Sequence, residues 1–221
     1  MTAATSPTSS AGSADGPRVR KDVARNRALL LSTADKLIAE RGLEMTFHDL
    51  AAAAGVGVGT VYRHFTDKDA LLGALIERRF DHAAEILLAA EQTPDPVRAF
   101  REAVLGICEL QQHDRAVWQA MLSDVERHRA LAESRLLPQV GRLVERALAT
   151  GRVRADLAAT DMPVMFWLSG ALNQFSADVR PDLWRRYVEL LLDGLMTDPA
   201  DRDGHRVPAL TRDELDRVHL P

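Results

Sequence analysis

Apolar residues recur three or four positions apart along most of the chain, which is the spacing of one helix face. In the first such segment the apolar positions include Leu31, Ala34, Leu37 and Ile38. Polar, Gly-containing or Pro-containing breaks separate the segments. The predicted helices span about residues 22–41, 47–54, 58–64, 67–90, 97–112, 114–122, 123–150, 161–178 and 183–196. The pattern therefore predicts an all-α fold of about nine helices.

Residues that start or stop helices set several of these boundaries. Gly42 ends the first helix, because glycine readily adopts the left-handed conformation that follows a helix. Thr46 followed by Asp49 is the pattern of a capping box and starts the second helix. Pro138 lies within 123–150 and should kink or interrupt that long helix, since proline lacks the amide hydrogen of the helical ladder.

Composition supports helices and narrows the class of protein. Hydrophobic residues make up 46% of the 221 residues but aromatic residues only 5%, which favours helices rich in Ala and Leu. The single cysteine, Cys108, cannot form an intramolecular disulfide. No apolar stretch reaches the length of a membrane span, and nothing like a secretory signal opens the chain. We expect a cytoplasmic protein that does not associate with membranes.

Charge is distributed unevenly along the chain. The net charge of -4 argues against a general polyanion binder. Residues 17–68 carry nine Lys or Arg against six Asp or Glu, whereas the chain from residue 69 onward carries nineteen against twenty-five. A mildly basic head on an acidic body is expected of a protein whose amino-terminal part meets phosphate groups.

Two very short helices meet at a glycine turn between residues 42 and 72, in the sequence GLEMTFHDLAAAAGVGVGTVYRHFTDKDALL. Helices of seven or eight residues bury little core alone, so such a pair serves to present one helix to a partner. A long helix, this pair and the motif Gly-Val-x-x-Gly-Thr-Val-Tyr-x-His-Phe together resemble the amino-terminal helix-turn-helix of TetR-family transcriptional regulators. The resemblance covers residues 22–75. The remaining helices resemble that family's variable ligand-binding and dimerisation domain only in their layout.

The resemblance and the composition divide the chain into four parts. We expect a disordered arm at residues 1–20, the helix-turn-helix domain at 21–68, an effector-binding and dimerisation domain at 69–197, and a polar tail at 198–221. The implied protein is a homodimeric DNA-binding regulator of a near-palindromic operator, most simply a repressor released by a small-molecule effector. It uses no cofactor or metal. A transcriptional activator, a ligand-independent DNA binder, and an enzyme or carrier with a vestigial head remain alternatives.

The second helix of a helix-turn-helix lies in the major groove, where its exposed side chains contact bases. Arg63 can form a bidentate pair with guanine, Thr60 can bond to base or phosphate, and Val58 can touch a thymine methyl. Two glycines would let the start of this helix approach DNA closely: Gly57 and Gly59. The resemblance assigns four further residues to the phosphates: Thr46, Tyr62, His64 and Lys68.

Each polar candidate also has a structural alternative. Tyr62 could cap the core of the head, His64 could be a packing histidine, and Lys68 could be a solvated surface charge. A nucleotide-binding reading of the GVGVG run fails, because that motif needs a preceding strand and a third glycine where Thr60 stands.

The body offers apolar, aromatic and sulfur-containing side chains for an effector pocket. The candidates are Phe100, Val104, Cys108, Trp118, Met121, Leu122, Met165, Phe166, Asn173 and Phe175. Met and aromatic side chains adapt to varied apolar guests, so an apolar ligand is expected, although each residue could instead be ordinary core. The histidines show no metal-binding spacing, and Cys108 lies among apolar residues where an inert thiol is expected. The sequence therefore disfavours an enzyme.

The last two predicted helices carry wide apolar faces. Such faces can form a four-helix interface around a two-fold axis. The candidates are Trp167, Leu168, Ala171, Leu172, Leu183, Trp184, Tyr187, Leu191 and Leu195. The alternative is that both faces close the core of a single chain.

Overall fold

The computed structural model describes residues 17–112 and 125–198. Within these ranges the fold is all-α, as predicted. The helices are α1 (Pro17–Arg41), α2 (Phe47–Ala54), α3 (Val58–His64), α4 (Lys68–Glu91), α5 (Pro96–Gln112), α6 (Val125–Arg135), α7 (Leu137–Leu148), α8 (Asp161–Ser176) and α9 (Leu183–Leu195). A short 3-10 turn, Gly42–Glu44, follows α1.

Most helix boundaries lie within a few residues of the predicted ones, and the start of α1 differs. Helix α1 begins at Pro17, so the expected arm at 1–20 is wrong in its last four residues. Proline is favoured in the first turn of a helix, where its missing amide hydrogen has no acceptor to lose. The predicted interruption of helix 123–150 at Pro138 is confirmed: the segment forms two helices, α6 and α7, with Pro138 in the first turn of α7. The predicted helix 114–122, residues 1–16 and the tail from residue 199 lie outside the described residues.

The head is built on one buried cluster from α1, α2, α3 and the first half of α4. Its fully buried members include Leu30, Leu50, Val61, Phe65 and Leu75. Both ends of α2 are fixed locally. The predicted capping box is present at its start, and at its end Gly55 adopts a left-handed φ of 68° while its amide bonds to carbonyls of the last turn. The short helices are therefore held by terminal hydrogen bonds as well as by packing.

A second buried cluster forms the body around α5, with contributions from α4, α7, α8 and α9. Its members include Phe100, Leu143, Met162 and Leu192. Helix α5 packs against α4, α7, α8 and α9 and is the centre of this cluster. Among the described residues, no helix combines the length and the apolar character needed to cross a membrane.

Two helices join the head to the body. Helix α4 contributes Leu75 to the head core and Leu87 to the body core, so it is continuous through both. Helix α6 packs against the head core through its last turns, and Leu136, just after it, packs against both cores. Asp35 of α1 forms an ion pair with Arg79 of α4 at 3.1 Å. The two cores are therefore coupled through shared elements.

Candidate nucleic-acid interface and the surfaces of the body

Helix α3 is anchored by one face and exposed on the other. Val61 is 0% exposed and Phe65, which follows the helix, is 2% exposed, so both face inward as predicted. On the opposite side Tyr62 is 53% exposed and Arg63 is also exposed. This arrangement presents one polar face of a short helix to the surroundings.

The start of α3 has no side chain that restricts approach. Gly57 and Gly59 are exposed, and a Cβ added to either would meet nothing within 4 Å among the described residues. Packing within the chain therefore does not require glycine at these positions. Close approach of another molecule would explain glycine at both positions, because an added methyl group would hold that molecule further away. Val58, between them, is half-buried against the head core.

Arg63 and Thr60 form a connected pair on the exposed face. The Arg63 guanidinium donates to the Gly59 carbonyl through Nε and to the Thr60 hydroxyl through Nη2, both at 3.2 Å. The side chain therefore lies back along its own helix. It has to release these two exposed bonds before it can make a bidentate contact with a base.

Tyr62 and His64 have both polar and packing roles. The Tyr62 ring makes an edge contact with Phe47 of α2, with 5.1 Å between ring centroids and 69° between planes. His64 is half-buried, and its ring centroid lies 6.3 Å from that of Phe65. Burial lowers the pKa of His64, and the nearby charges of Arg27 and Arg63 lower it further. The imidazole is therefore neutral at pH 7, with one N–H donor.

Arg27 is a basic residue of this region that the sequence analysis did not single out. Its guanidinium carbon lies 4.9 Å from the centroid of the Phe65 ring, which places a charge from α1 beside the end of α3. Nothing in the sequence separates Arg27 from its neighbour Arg25. Only the tertiary contact with Phe65 identifies it.

Thr46 precedes α2 and Lys68 begins α4, and both are exposed. The Thr46 hydroxyl and amide donate to the Asp49 carboxylate at 2.6 and 2.8 Å. These two bonds are the largest causes that lower the pKa of Asp49. The Lys68 ammonium donates to the carbonyl of Leu43 in the 3-10 turn. Both proposed phosphate contacts are thus engaged within the chain in this structure.

Comparison with known proteins agrees with this geometry. Residues 30–75 match the model of the family described as bacterial regulatory proteins, tetR family. A HTH-type transcriptional regulator from Staphylococcus aureus is 41% identical over 64 residues, which are 28% of this chain and 35% of that protein. The match spans about a third of the relative's length. A TetR transcription regulatory protein from Mycobacterium vanbaalenii superposes with a TM-score of 0.62 at 28% identity, over 81% of this chain and 99% of that one.

Residues 30–75 are thus similar to the amino-terminal domain of TetR-family regulators, and most of the chain shares the fold of a solved TetR regulator. The body shares its fold with RolR, solved in complex with resorcinol, at a TM-score of 0.54 and 22% identity over 82% of this chain and 93% of RolR.

In the body, most effector candidates that the structure describes are core residues in this conformation. Phe100, Val104 and Phe166 line one cavity of about 10 Å³ between α5, α7 and α8, which has room for at most one water molecule. Met165 instead lines an open groove of about 370 Å³ beside α8 and α9. Asn173 is buried and Phe175 half-buried. The remaining candidates Trp118, Met121 and Leu122 lie outside the described residues.

Cys108 is fully buried in the body core. Burial raises the pKa of its thiol to about 12, and a hydrogen bond with Ser169 lowers it only partly. The thiol therefore stays protonated at neutral pH, as expected of an inert packing cysteine. Among the described residues, no group of three His, Cys, Asp or Glu is placed to hold a metal ion.

Helices α8 and α9 expose a continuous set of large apolar side chains, which we call the α8/α9 face. Trp167 and Leu168 are 54% and 53% exposed, and Tyr187 and Leu191 are 44% and 42% exposed. Ala171 is exposed on the same side of α8. Two further apolar residues of these helices are exposed and are absent from the predicted interface: Val164 and Leu190.

The prediction that Leu183 and Trp184 lie in the dimer interface is wrong. They are 1% and 5% exposed and belong to the body core. Helix α9 carries two apolar stripes, and the stripe that contains Trp184 and Val188 faces α5 and α8. Apolar spacing in the sequence does not distinguish the two stripes. Two other candidates are half-buried against the body core: Leu172 and Leu195.

Proposed function

We propose that the chain is a sequence-specific transcriptional regulator that binds a near-palindromic operator as a homodimer and is released by a small-molecule effector. Repression by occlusion of the promoter is the simplest mode. The observation that carries the proposal is the exposed face of α3, which presents Thr60, Tyr62 and Arg63 while Val61 and Phe65 fix the helix in the head core. A helix held in this way can enter the major groove as a rigid unit.

Different residues of the interface contact the bases and the phosphates. Arg63 is the residue with the strongest discrimination, because a guanidinium can pair with both acceptors of guanine. Thr60 orients Arg63 in the free protein. Tyr62, His64 and Lys68 supply donors for phosphates around it, and Arg27 adds a charge from α1. With one strongly discriminating side chain per head, half-site spacing and DNA shape supply the remaining specificity.

The α8/α9 face supports a two-fold dimer. Exposed apolar patches of this kind on a chain mark interaction surfaces, and a face built from two adjacent helices pairs with its own copy as a four-helix interface. We expect Leu168→Glu to convert dimer to monomer in sedimentation velocity. Leu88→Glu is the matched control, because Leu88 is a leucine of similar exposure, 47%, on α4 and not on α8 or α9. Equal behaviour of the two variants would contradict the proposed interface.

Helix α4 and the contacts of α6 are the proposed route from effector to operator. Because α4 contributes to both cores, a change in body packing alters the position of the head. Arg135 of α6 also forms an ion pair with Asp81 of α4, which ties the two helices together at the junction. An effector that binds one arrangement more tightly would shift the population of dimers away from the DNA-binding spacing.

The decisive experiment is selection of bound genomic fragments with the purified full chain, followed by operator binding with a broad effector library that includes resorcinol. Enrichment of a near-palindromic site supports the proposal, and the absence of any enriched sequence contradicts it. A promoter reporter in a deletion strain then separates repression from activation by the sign of the change. If no effector in the library alters operator affinity, the result supports the alternative of a ligand-independent DNA binder.

A further inference from the structure

A small polar cluster interrupts the apolar core of the body where α5 meets α8. The side-chain amide of Gln112 donates to the Cys108 carbonyl at 2.7 Å and to the Ser169 hydroxyl at 3.1 Å. Ser169 is 2% exposed and Cys108 is fully buried. These contacts place three polar groups beside the apolar core cluster of the body.

The Gln112 oxygen is the unsatisfied atom of this cluster. It is buried and has no hydrogen-bond partner among the residues that the structure describes. The orientation of the amide is fixed, because turning it over would set its oxygen against the Cys108 carbonyl and lose the bond that the nitrogen donates there. A buried acceptor without a donor destabilises the protein, so its retention calls for an explanation beyond packing.

The small cavity of the body lies about one helical turn from Cys108 and Ser169, the two residues that the Gln112 amide contacts. Val104 on α5 and Phe166 on α8 line the cavity. Cys108 and Ser169 follow them by four and three residues on the same two helices. An apolar space and a polar cluster that holds an unused hydrogen-bond acceptor therefore follow one another along α5 and α8.

We propose that this region is the effector site and that it takes an apolar molecule with one hydroxyl or N–H donor. The apolar part replaces side-chain contacts at the cavity between Val104 and Phe166, and the donor bonds to the Gln112 oxygen. This inference rests on the proposed effector-controlled function and specifies the chemistry of its ligand. The cavity of about 10 Å³ has to widen on binding. Met162 in its wall has the flexible side chain that such repacking requires.

The test compares two probes of nearly equal shape, 4-propylphenol and 4-propylanisole, by isothermal titration calorimetry with the full chain. The phenol has the donor and the methyl ether lacks it. We expect the wild-type protein to bind the phenol about fivefold to tenfold more tightly than the ether. This is the ratio of affinities expected when one ligand forms a hydrogen bond to a buried acceptor and the other does not. Gln112→Leu should remove this ratio by weakening the phenol alone.

The chain contains a matched control for that substitution. Gln139 on α7 also has a buried side-chain oxygen without a hydrogen-bond partner among the described residues, but it does not belong to the cluster. Gln139→Leu should therefore leave the preference for the phenol unchanged. Ser169→Ala is a second variant in the cluster: it keeps the bond to the Cys108 carbonyl but removes the second bond that holds the amide, so it should reduce the preference without a new bulky group. Circular dichroism confirms that each variant is folded.

Three results would overturn the inference: equal binding of the two probes by the wild type, a preference that survives both cluster variants, or no binding of either probe. Operator binding measured on the same preparations separates this inference from the proposed function. Intact operator binding with any of these results rejects only the ligand chemistry. If the wild-type protein does not bind the operator, the proposed function as a transcriptional regulator is rejected.

Discussion

Replacing Arg63 with alanine tests whether this side chain reads a base. In the free protein its two bonds, to the Gly59 carbonyl and the Thr60 hydroxyl, are exposed and 3.2 Å long. Water can replace both, so releasing them costs little, on the order of 1 kcal/mol. A bidentate contact with guanine discriminates by about 1–3 kcal/mol. Arg63→Ala should therefore weaken binding to the preferred base pair by about 5-fold to 150-fold.

The assay is fluorescence anisotropy with the selected operator. Four duplexes carry each base pair in turn at the contacted position, and one unrelated duplex measures non-specific binding at the same salt concentration. The titrations are run at pH 8, because loss of the Arg63 charge removes one of the causes that lower the pKa of His64. At that pH the imidazole is neutral in both proteins.

The pattern across the duplexes decides the role of Arg63. Base readout requires that the wild type prefers one of the four duplexes and that Arg63→Ala binds all four alike. Arg63→Lys keeps the charge but cannot form the planar fork, so it should behave like the alanine variant at the contacted base pair. If the alanine variant loses equal affinity for the operator and the unrelated duplex, Arg63 is a phosphate contact and the reasoning is wrong.

Three further predictions test the interface and the packing. Lys68→Ala should weaken binding to all sequences and reduce the slope of log affinity against log salt by about 1, as measured in a salt titration. Because the pKa of His64 is lowered in the folded chain, the unfolded state binds its proton more readily, so stability in urea should fall as pH drops through 6.5, less so in His64→Asn. Gly106→Ala should destabilise by about 1–3 kcal/mol, because a Cβ there would lie 2.7 Å from the Ile86 side chain, whereas Gly141→Ala has open space and should be neutral or stabilising in thermal melts.

Features set by neighbouring residues could be predicted from the sequence. The capping box depends on Thr46 and Asp49, three positions apart, and their side chains meet whenever that segment is helical. Gly55 closes α2 for an equally local reason, its positive φ. Pro138 divides the long helix because its own ring excludes the helical hydrogen bond. The family resemblance rests on the same local signals.

Features set by helix crossings could not be predicted in this way. Leu183 and Trp184 are as apolar as Leu191, and only the position of α9 against α5 decides which stripe is buried. The contact of Arg27 with Phe65 joins residues far apart in the chain. The unsatisfied oxygen of Gln112 likewise arises from the way α5 meets α8. Periodicity identifies the faces of a helix but not their neighbours.

Thr46, at the start of α2, is both a helix cap and a predicted phosphate contact. Thr46 donates its amide and its hydroxyl to Asp49, whose lowered pKa keeps a negative charge at this helix end. The Thr46 amide and hydroxyl already donate to that carboxylate, so the threonine can donate to a DNA phosphate only by giving up bonds of the capping box. The first-turn amides of Phe47 and His48 have no acceptor within the helix and point toward the same side as its positive dipole end. Phosphate binding at α2 therefore depends more on these backbone donors, and Thr46 contributes chiefly by holding the helix end in place.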